Sequence, residues 1–112
     1  MRGQALKGHL DLLLLTVIAD GPKHGYAVIE EFRLRSDDAF DLPHGTVYPA
    51  LHRLAKAGYL TSSWSEVQGR RRRIYALTRR GSTALGEQRK AWGDFSRAMS
   101  RVLKGVPWPS TS

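Results

Sequence analysis

Apolar residues recur at helical spacing in two segments near the start of the chain. From His9 to Asp20, leucines and β-branched residues cover most of the circumference, which predicts a helix buried nearly all round. A second helix is predicted from His24 to about Arg35, with charged residues opposite its apolar face. That face consists of Gly25, Val28, Ile29 and Phe32. Asp20-Gly21-Pro22 separates the helices, because Gly tolerates the cap geometry and Pro cannot continue the hydrogen-bond ladder.

A third amphipathic segment runs from Pro43 to Leu60 and reads PHGTVYPALHRLAKAGYL. Its apolar residues Val47, Leu51 and Leu54 stand at i, i+4 and i+7, which places them on one stripe of a helix. The leading proline suits the first helical position, and Gly58 suits the C-terminal cap. We therefore predict a helix of about four turns followed by a strand.

The polar side of this third helix carries residues suited to contact with nucleic acid. It presents Thr46, Tyr48, His52, Arg53 and Lys56, and we add His44 and Pro49 from the same stretch to the candidate DNA-contacting set. Hydroxyl, imidazole and basic side chains can donate hydrogen bonds to phosphates and base edges. A proline in a helix interior costs roughly 3 kcal/mol, so we expect the regular helix to begin near Gly45 or Thr46.

Tyr26 lies in the first turn of the second predicted helix. A helix N-terminus offers free N–H groups and a partial positive charge, so a phosphate could rest there beside the Tyr26 hydroxyl. Packing of a half-buried Tyr26 against the core explains the same residue equally well.

Two strands are predicted beyond the third helix, from Leu60 to Val67 and from Arg72 to Leu77, joined around Gln68-Gly69-Arg70. The tip of this hairpin carries four consecutive arginines, Arg70, Arg71, Arg72 and Arg73. Adjacent guanidinium groups repel one another, so they make more sense as a surface for a polyanion than as self-contained stabilisation. The alternative is a solvated tip without a partner.

A long helix is predicted at the end of the sequence, with Thr78 as its N-cap and its last residue near Lys104. A spacing of three and four, typical of a helix that packs along a partner helix, relates Leu85, Gln88, Trp92, Phe95, Met99, Val102 and Val106. One small domain cannot easily bury such a row, so we expect a homodimer. Leu10 and Leu14 are assigned to the same interface, and packing within one chain is the alternative.

The distribution of charge strengthens the case for a polyanionic partner. The chain has 112 residues and a formal charge of +8. Positions 1–52 contain five Lys/Arg and seven Asp/Glu, whereas positions 53–112 contain thirteen and three. A charge needed only for solubility would be spread more evenly, so this asymmetry favours one basic face that meets nucleic acid. A solvated basic face without a partner is the alternative.

Other classes of protein receive little support. The absence of cysteine excludes disulfides and thiolate metal sites and fits a reducing compartment. The longest apolar run, Leu12 to Ala19, is far shorter than a membrane span, and no signal peptide is recognisable, so a soluble, cytoplasmic protein is expected. No HExxH, Walker or GxGxxG motif occurs, and His44 and His52 would bind a metal only if folding brought them together. We therefore expect neither an enzyme nor a cofactor.

Three short helices followed by a hairpin predict a winged helix-turn-helix, a mostly α fold whose third helix enters the major groove while the hairpin contacts the adjacent backbone. We expect a DNA-binding domain at residues 1–78, a dimerisation helix at residues 79–106 and a tail at residues 107–112. A sequence-nonspecific binder of DNA or RNA is the main rival, since four arginines in a row would serve either function.

A set of short motifs spans residues 10–81. These are Leu14-Leu15, His24-Gly25-Tyr26, the run from Gly45 to Leu54, Gly58-Tyr59-Leu60, Gly69-Arg70-Arg71, the run from Tyr75 to Thr78, and Gly81. Together they resemble the PadR family of bacterial transcriptional regulators, in particular its smaller subfamily with a single C-terminal helix. What the resemblance implies is a homodimeric repressor of a roughly palindromic operator, released by a small molecule.

The resemblance also implies roles for individual residues. At the DNA would lie Tyr26, Thr46, Tyr48 and His52, with Arg70 to Arg73 on the wing. Trp92 stands where some multidrug-responsive relatives have an aromatic residue that stacks on flat ligands between the subunits, which would make the effector a small aromatic molecule. Packing at the dimer interface explains Trp92 at least as well.

Overall fold

A computed structural model describes residues 8–104. Along this range the elements are α1 (Leu10–Ala19), β1 (Lys23–His24), α2 (Gly25–Arg35), α3 (His44–Lys56), β2 (Leu60–Val67), β3 (Arg70–Leu77) and α4 (Arg79–Leu103). The strands form one antiparallel sheet in the order β1-β3-β2. Three helices, a hairpin and a long final helix make a winged helix, so the predicted fold class is confirmed.

The core lies where α1, α2 and α3 meet the base of the hairpin. Its fully buried side chains are Leu14, Leu15, Ile18, Val28, Val47, Leu51 and Leu54. The apolar faces predicted for the second and third helices are therefore the faces that are buried. Because Leu14 is fully buried inside this chain and Leu85 nearly so, their assignment to a subunit interface is wrong. Both side chains are buried in the core of the single chain.

The start of α3 differs from the prediction. His44 is the first helical residue and Pro43 is the N-cap, rather than the first helical residue itself. Pro49 lies inside the helix, which continues through it and begins one residue before the expected start near Gly45 or Thr46. The carbonyl that would have accepted a Pro49 N–H belongs to Gly45, an exposed residue in the first turn. Water can satisfy that carbonyl, so the proline leaves no buried acceptor unpaired.

The end of α3 is a glycine-capped turn. Gly58 has a φ of +88°, and its N–H bonds to the carbonyl of Ala55 at 3.1 Å. The next N–H, of Tyr59, reaches back to the carbonyl of Leu54 at 3.0 Å. These two bonds define a Schellman motif, which confirms Gly58 as the predicted stop and directs the chain into β2.

The hairpin is tighter than predicted. Its turn consists of Gln68 and Gly69, whose φ values of 53° and 75° are those of a two-residue type I′ turn. Arg70 is therefore part of β3, and the prediction that the second strand begins at Arg72 is wrong. The arginines consequently alternate between the two faces of the hairpin instead of clustering in a loop. The two-residue strand β1, which pairs with β3, was not predicted.

The first turn of α4 is fixed against the end of α3. The Thr78 hydroxyl donates to the Gly58 carbonyl at 2.7 Å and accepts from the Gly81 N–H at 2.9 Å. The predicted N-cap is thus confirmed, and the helix ends one residue before Lys104. A methyl group on Gly81 would overlap the carbonyl oxygen of Tyr59 and lie 2.8 Å from Cδ1 of Leu77. Only glycine lets α4 approach the hairpin this closely.

We expect Gly81→Ala to lower the free energy of unfolding by about 1–3 kcal/mol, because the new methyl group meets main-chain atoms that cannot move aside. Gly86→Ala in the same helix is the matched control, since a methyl group there meets nothing within 4 Å. That control should gain up to about 1 kcal/mol from better helix propensity. Urea unfolding measures both changes, and equal shifts in the two variants would contradict the close approach.

Candidate nucleic-acid interface

The exposed side of α3 is one wall of an open groove. Tyr48, Pro49, His52 and Lys56 are exposed, and with Arg53 and Tyr75 of β3 they line a groove of about 620 Å³. Thr46 is only partly exposed. The buried stripe on the other side of α3 holds the helix in this rotation, so the polar face predicted from the sequence is the face that meets solvent.

Aromatic side chains connect the N-termini of α2 and α3. The His44 ring stacks on Tyr48 with centroids 5.4 Å apart, and Tyr26 lies 6.4 Å from His44. Tyr26 is about half exposed, so it is not a core residue. The structure therefore brings Tyr26, His44 and Tyr48 together at two helix N-termini, where partial positive charge favours an anion.

Gly25 makes this cluster possible, a role that the sequence did not reveal. It is buried at the start of α2, and a methyl group there would lie 2.7 Å from Cζ of the Tyr48 ring and closer still to the neighbouring ring carbon. The Tyr48 ring therefore packs directly on the backbone of α2. In the sequence, a glycine immediately before Tyr26 was the available sign of a close contact at this position. Only the packing of α3 on α2 shows that the Tyr48 ring fills the space left by the missing side chain.

His24 is the N-cap of α2, which was also not predicted. Its Nδ1 accepts the Ala27 N–H at 3.3 Å. Burial lowers the pKa of His24, and the positive charge of Arg72 lowers it further. A neutral imidazole that accepts at Nδ1 carries its proton on Nε2, so the ring keeps one N–H donor.

Arg53 is engaged within the chain. Its two terminal nitrogens bond to the Asp11 carboxylate of α1 at 2.6 and 3.2 Å, and the hydrogen bonds with Asp11 raise the pKa of Arg53. Asp11 was not among the predicted site residues, because nothing in the sequence connects positions 42 apart. Arg53 is thus a less available phosphate donor than Lys56, which forms no ion pair with any residue from 8 to 104.

The arginines of β3 divide into two pairs. Arg70 and Arg72 lie on one face of the hairpin, and Arg71 and Arg73 lie on the other, because neighbouring residues of a strand point to opposite faces. Within residues 8–104, none of the four forms an ion pair with a carboxylate. Their charge is therefore available to an external anion.

Residues 8–104 show no sign of a metal site or of a membrane-spanning helix. No group of three or more His, Asp or Glu side chains lies close enough together to hold a metal ion. No helix in this range has the length and apolar character needed to cross a bilayer.

Comparison with known proteins agrees with this geometry. The model of the "Transcriptional regulator PadR-like family" matches residues 14–87. The chain is 38% identical to the transcriptional regulator Rv3488 of Mycobacterium tuberculosis over an alignment of 86 residues. This alignment covers 77% of this chain and 78% of that protein. A PadR-like transcriptional regulator from Bacillus cereus has a TM-score of 0.80 and 26% identity, covering 92% of this chain and 99% of that one. A transcriptional regulator from Clostridium thermocellum shares the fold, with a TM-score of 0.84, 24% identity and coverage of 91% and 100%.

Proposed function

The chain belongs to the PadR-like family of transcriptional regulators, and we propose that it is a homodimeric repressor that binds a specific, near-palindromic DNA operator. The observation that carries this proposal is the groove between the exposed side of α3 and the hairpin, whose four consecutive arginines form no ion pair with a carboxylate among residues 8–104. A helix face with few charges can read base edges, while unpaired guanidinium groups bind phosphates. In this proposal α3 selects the DNA sequence, and the guanidinium groups of the hairpin supply much of the affinity.

In the proposed complex, α3 lies in the major groove and the hairpin contacts the backbone. Base edges are read by Thr46, Tyr48 and His52. Phosphates are bound by Tyr26, His44, Lys56 and the hairpin, where Arg70, Arg71, Arg72 and Arg73 are the candidate donors. Pro49 contributes apolar surface from the same face of α3. Arg53 is a weaker participant, since Asp11 already occupies its donors.

We expect binding to a DNA fragment from upstream of the protein's own gene to withstand about a hundredfold excess of unrelated duplex, because specific sites bind roughly 10³–10⁷ times more tightly than nonspecific ones. Competition in an electrophoretic mobility assay at about 150 mM salt measures this preference. Substitution of His52 by Ala should reduce the preference more than the total affinity. Equal competition by unrelated duplex would support the rival function, sequence-nonspecific binding of nucleic acid.

The distal half of α4 supports a dimer. At 25 residues the helix is about 37 Å long, and its N-terminal part packs on α1 through Leu85. Beyond that contact Trp92, Phe95, Met99 and Val102 are 45–80% exposed. A contiguous apolar row on a soluble domain marks an interaction surface, and its spacing of three and four fits a second copy of the same helix. Leu10, which is partly buried at the start of α1, stays assigned to the edge of this proposed interface.

In this proposal residues 1–78 form the DNA-binding unit and residues 79–106 form the dimerisation segment, followed by a tail at 107–112. Val106 and the tail lie outside the described residues. The dimer sets the distance between two copies of α3, which must match one turn of B-DNA, about 34–36 Å, for both to enter half-sites on the same face.

We expect Met99→Glu to convert a dimer into a monomer at micromolar concentration, because a charge is poorly tolerated in the apolar centre of a helix interface. Ser100→Glu is the matched control, since this exposed neighbour points away from the row. Light scattering gives the molar masses. A monomeric unsubstituted protein, or variants that both keep the dimer mass, would contradict the proposed interface.

A small aromatic effector is part of the same proposal. Trp92 borders a cavity of about 280 Å³ between the start of α1 and the middle of α4. The His9 ring meets the Trp92 indole edge-on at 5.1 Å, and Phe95 lies 5.8 Å from the same indole. Asp11, which lines this cavity, also holds Arg53 of α3. A flat cation bound there would stack on the indole and compete with Arg53 for the carboxylate.

We expect a planar aromatic cation such as rhodamine 6G to bind the dimer and to weaken its DNA affinity, because a ligand shifts the DNA-binding equilibrium only when it prefers one of the two states. Fluorescence anisotropy of the dye measures binding to the protein, and the mobility assay measures the DNA affinity. Trp92→Leu should abolish the effect, and this variant also corrects for dye that binds the duplex itself. Dye binding without any change in DNA affinity would contradict the effector role.

A further inference from the structure

Trp64 and two of the four arginines occupy one face of the hairpin. In the register of β2 and β3, Trp64 lies opposite Arg73 and Glu66 lies opposite Arg71. Residues directly opposite each other in an antiparallel pair point to the same side. Arg71 and Arg73 therefore share a face with Trp64, whereas Arg70 and Arg72 share the other face with Ser65.

Both arginines on the Trp64 face stack on its indole. The guanidinium carbon of Arg71 lies 4.6 Å from the ring centroid, and that of Arg73 lies 4.8 Å from it. These distances are within the range of a cation–π contact. Trp64 itself is 54% exposed, so the indole is a surface platform rather than a core residue.

Stacking uses the flat face of a guanidinium group and leaves its in-plane N–H donors free. Among residues 8–104, neither Arg71 nor Arg73 forms an ion pair, and Glu66 forms none either, although it lies on the same face. Two like charges are thus held beside one ring, and neither is engaged in an ion pair with a carboxylate of the described residues. A bound phosphate would remove that repulsion and accept bidentate hydrogen bonds.

The Trp64 face continues the groove beside α3. Tyr75 is two residues along β3 from Arg73 and points to the same side, and Tyr75 lines the groove together with Tyr48 and His52. A DNA backbone that follows this groove outward reaches the Trp64 platform. Arg70 and Arg72 point to the opposite face of the hairpin.

We propose that Trp64 is a positioning residue that holds Arg71 and Arg73 ready to bind the DNA backbone, and that this face is the phosphate-binding side of the wing. The inference rests on the proposed DNA-binding function. It goes beyond that proposal because it assigns phosphate binding chiefly to Arg71 and Arg73 and not equally to all four arginines. Trp64 acts through the two guanidinium groups and does not itself read DNA.

The first test compares two variants with the same loss of charge. Arg71→Ala/Arg73→Ala should reduce the slope of log affinity against log salt by about 2, since each lost phosphate contact reduces it by about 0.9. Arg70→Ala/Arg72→Ala, the matched control from the other face, should reduce it by less than about 1. Equal reductions would overturn the inference.

The second test places Trp64→Leu in three backgrounds. We expect a loss of DNA affinity of about three- to tenfold in the unsubstituted protein and in the Arg70→Ala/Arg72→Ala variant, and no further loss in the Arg71→Ala/Arg73→Ala variant. Trp64→Phe should restore part of the affinity, because a smaller aromatic ring still attracts guanidinium groups. The same loss in all three backgrounds, or none in the unsubstituted protein, would overturn the inference, and circular dichroism confirms that each variant is folded.

Both tests use the upstream fragment and an unrelated duplex in parallel. Phosphate contacts are independent of sequence, so the Trp64 effect should appear with either DNA. If the protein shows no sequence preference but gives the expected results in both tests, the repressor proposal is contradicted and the role of Trp64 is supported. If the protein prefers the upstream fragment but the two double arginine variants reduce the salt slope equally, the repressor proposal is supported and the role of Trp64 is contradicted. If the protein binds neither DNA, both proposals are contradicted.

Discussion

The burial of one stripe of α3 is the constraint on which the rest of the structure depends. Val47, Leu51 and Leu54 are almost completely removed from solvent, so the helix has one permitted rotation about its axis. A turn of 100° would bring polar side chains into the core, at a cost of several kcal/mol for each unpaired group. This rotation places Tyr48 on the backbone of Gly25 and leaves His52 and Lys56 in the groove beside β3. The proposed reading face is therefore set by the residues that do not touch DNA.

Much of this arrangement was accessible from the sequence because it depends on local patterns. Helical spacing identified the buried faces of α2 and α3, and Thr78 and Gly58 were recognised as cap residues from their own conformational preferences. The errors over the interface and the hairpin have different causes. Burial of Leu14 and Leu85 looks the same in a sequence whether the contact is within a chain or between chains, and the strand residues Arg70 and Arg71 carry no alternation that distinguishes them from a loop.

Contacts between distant positions could not be predicted in the same way. The ion pair of Asp11 with Arg53 joins residues 42 apart, and the stacking of Trp64 with Arg73 exists only because the two-residue turn sets that register. A turn longer by one residue would move Trp64 to a different partner and exchange the faces of the arginines. The sequence shows how many positive charges the hairpin carries, and the register decides which of them can act together.

Helix α1 is the element that connects the proposed effector cavity with α3, and magnitudes limit what this connection can do. His9, next to α1, meets Trp92, and Asp11 holds Arg53, but the side chains of this ion pair are 30% and 59% exposed. An exposed pair contributes about 0–1 kcal/mol, whereas a nearly complete shift between two states requires about 5.5 kcal/mol. Competition for Asp11 would also free Arg53 to contact phosphate, so it cannot by itself release DNA. In a dimer built along α4, a ligand beside Trp92 would lie where the two helices meet, so the remaining free energy has to come from a change in the angle between them. That change would move both copies of α3 at once, and the loss of spacing between half-sites would weaken DNA binding by more than a freed Arg53 could strengthen it.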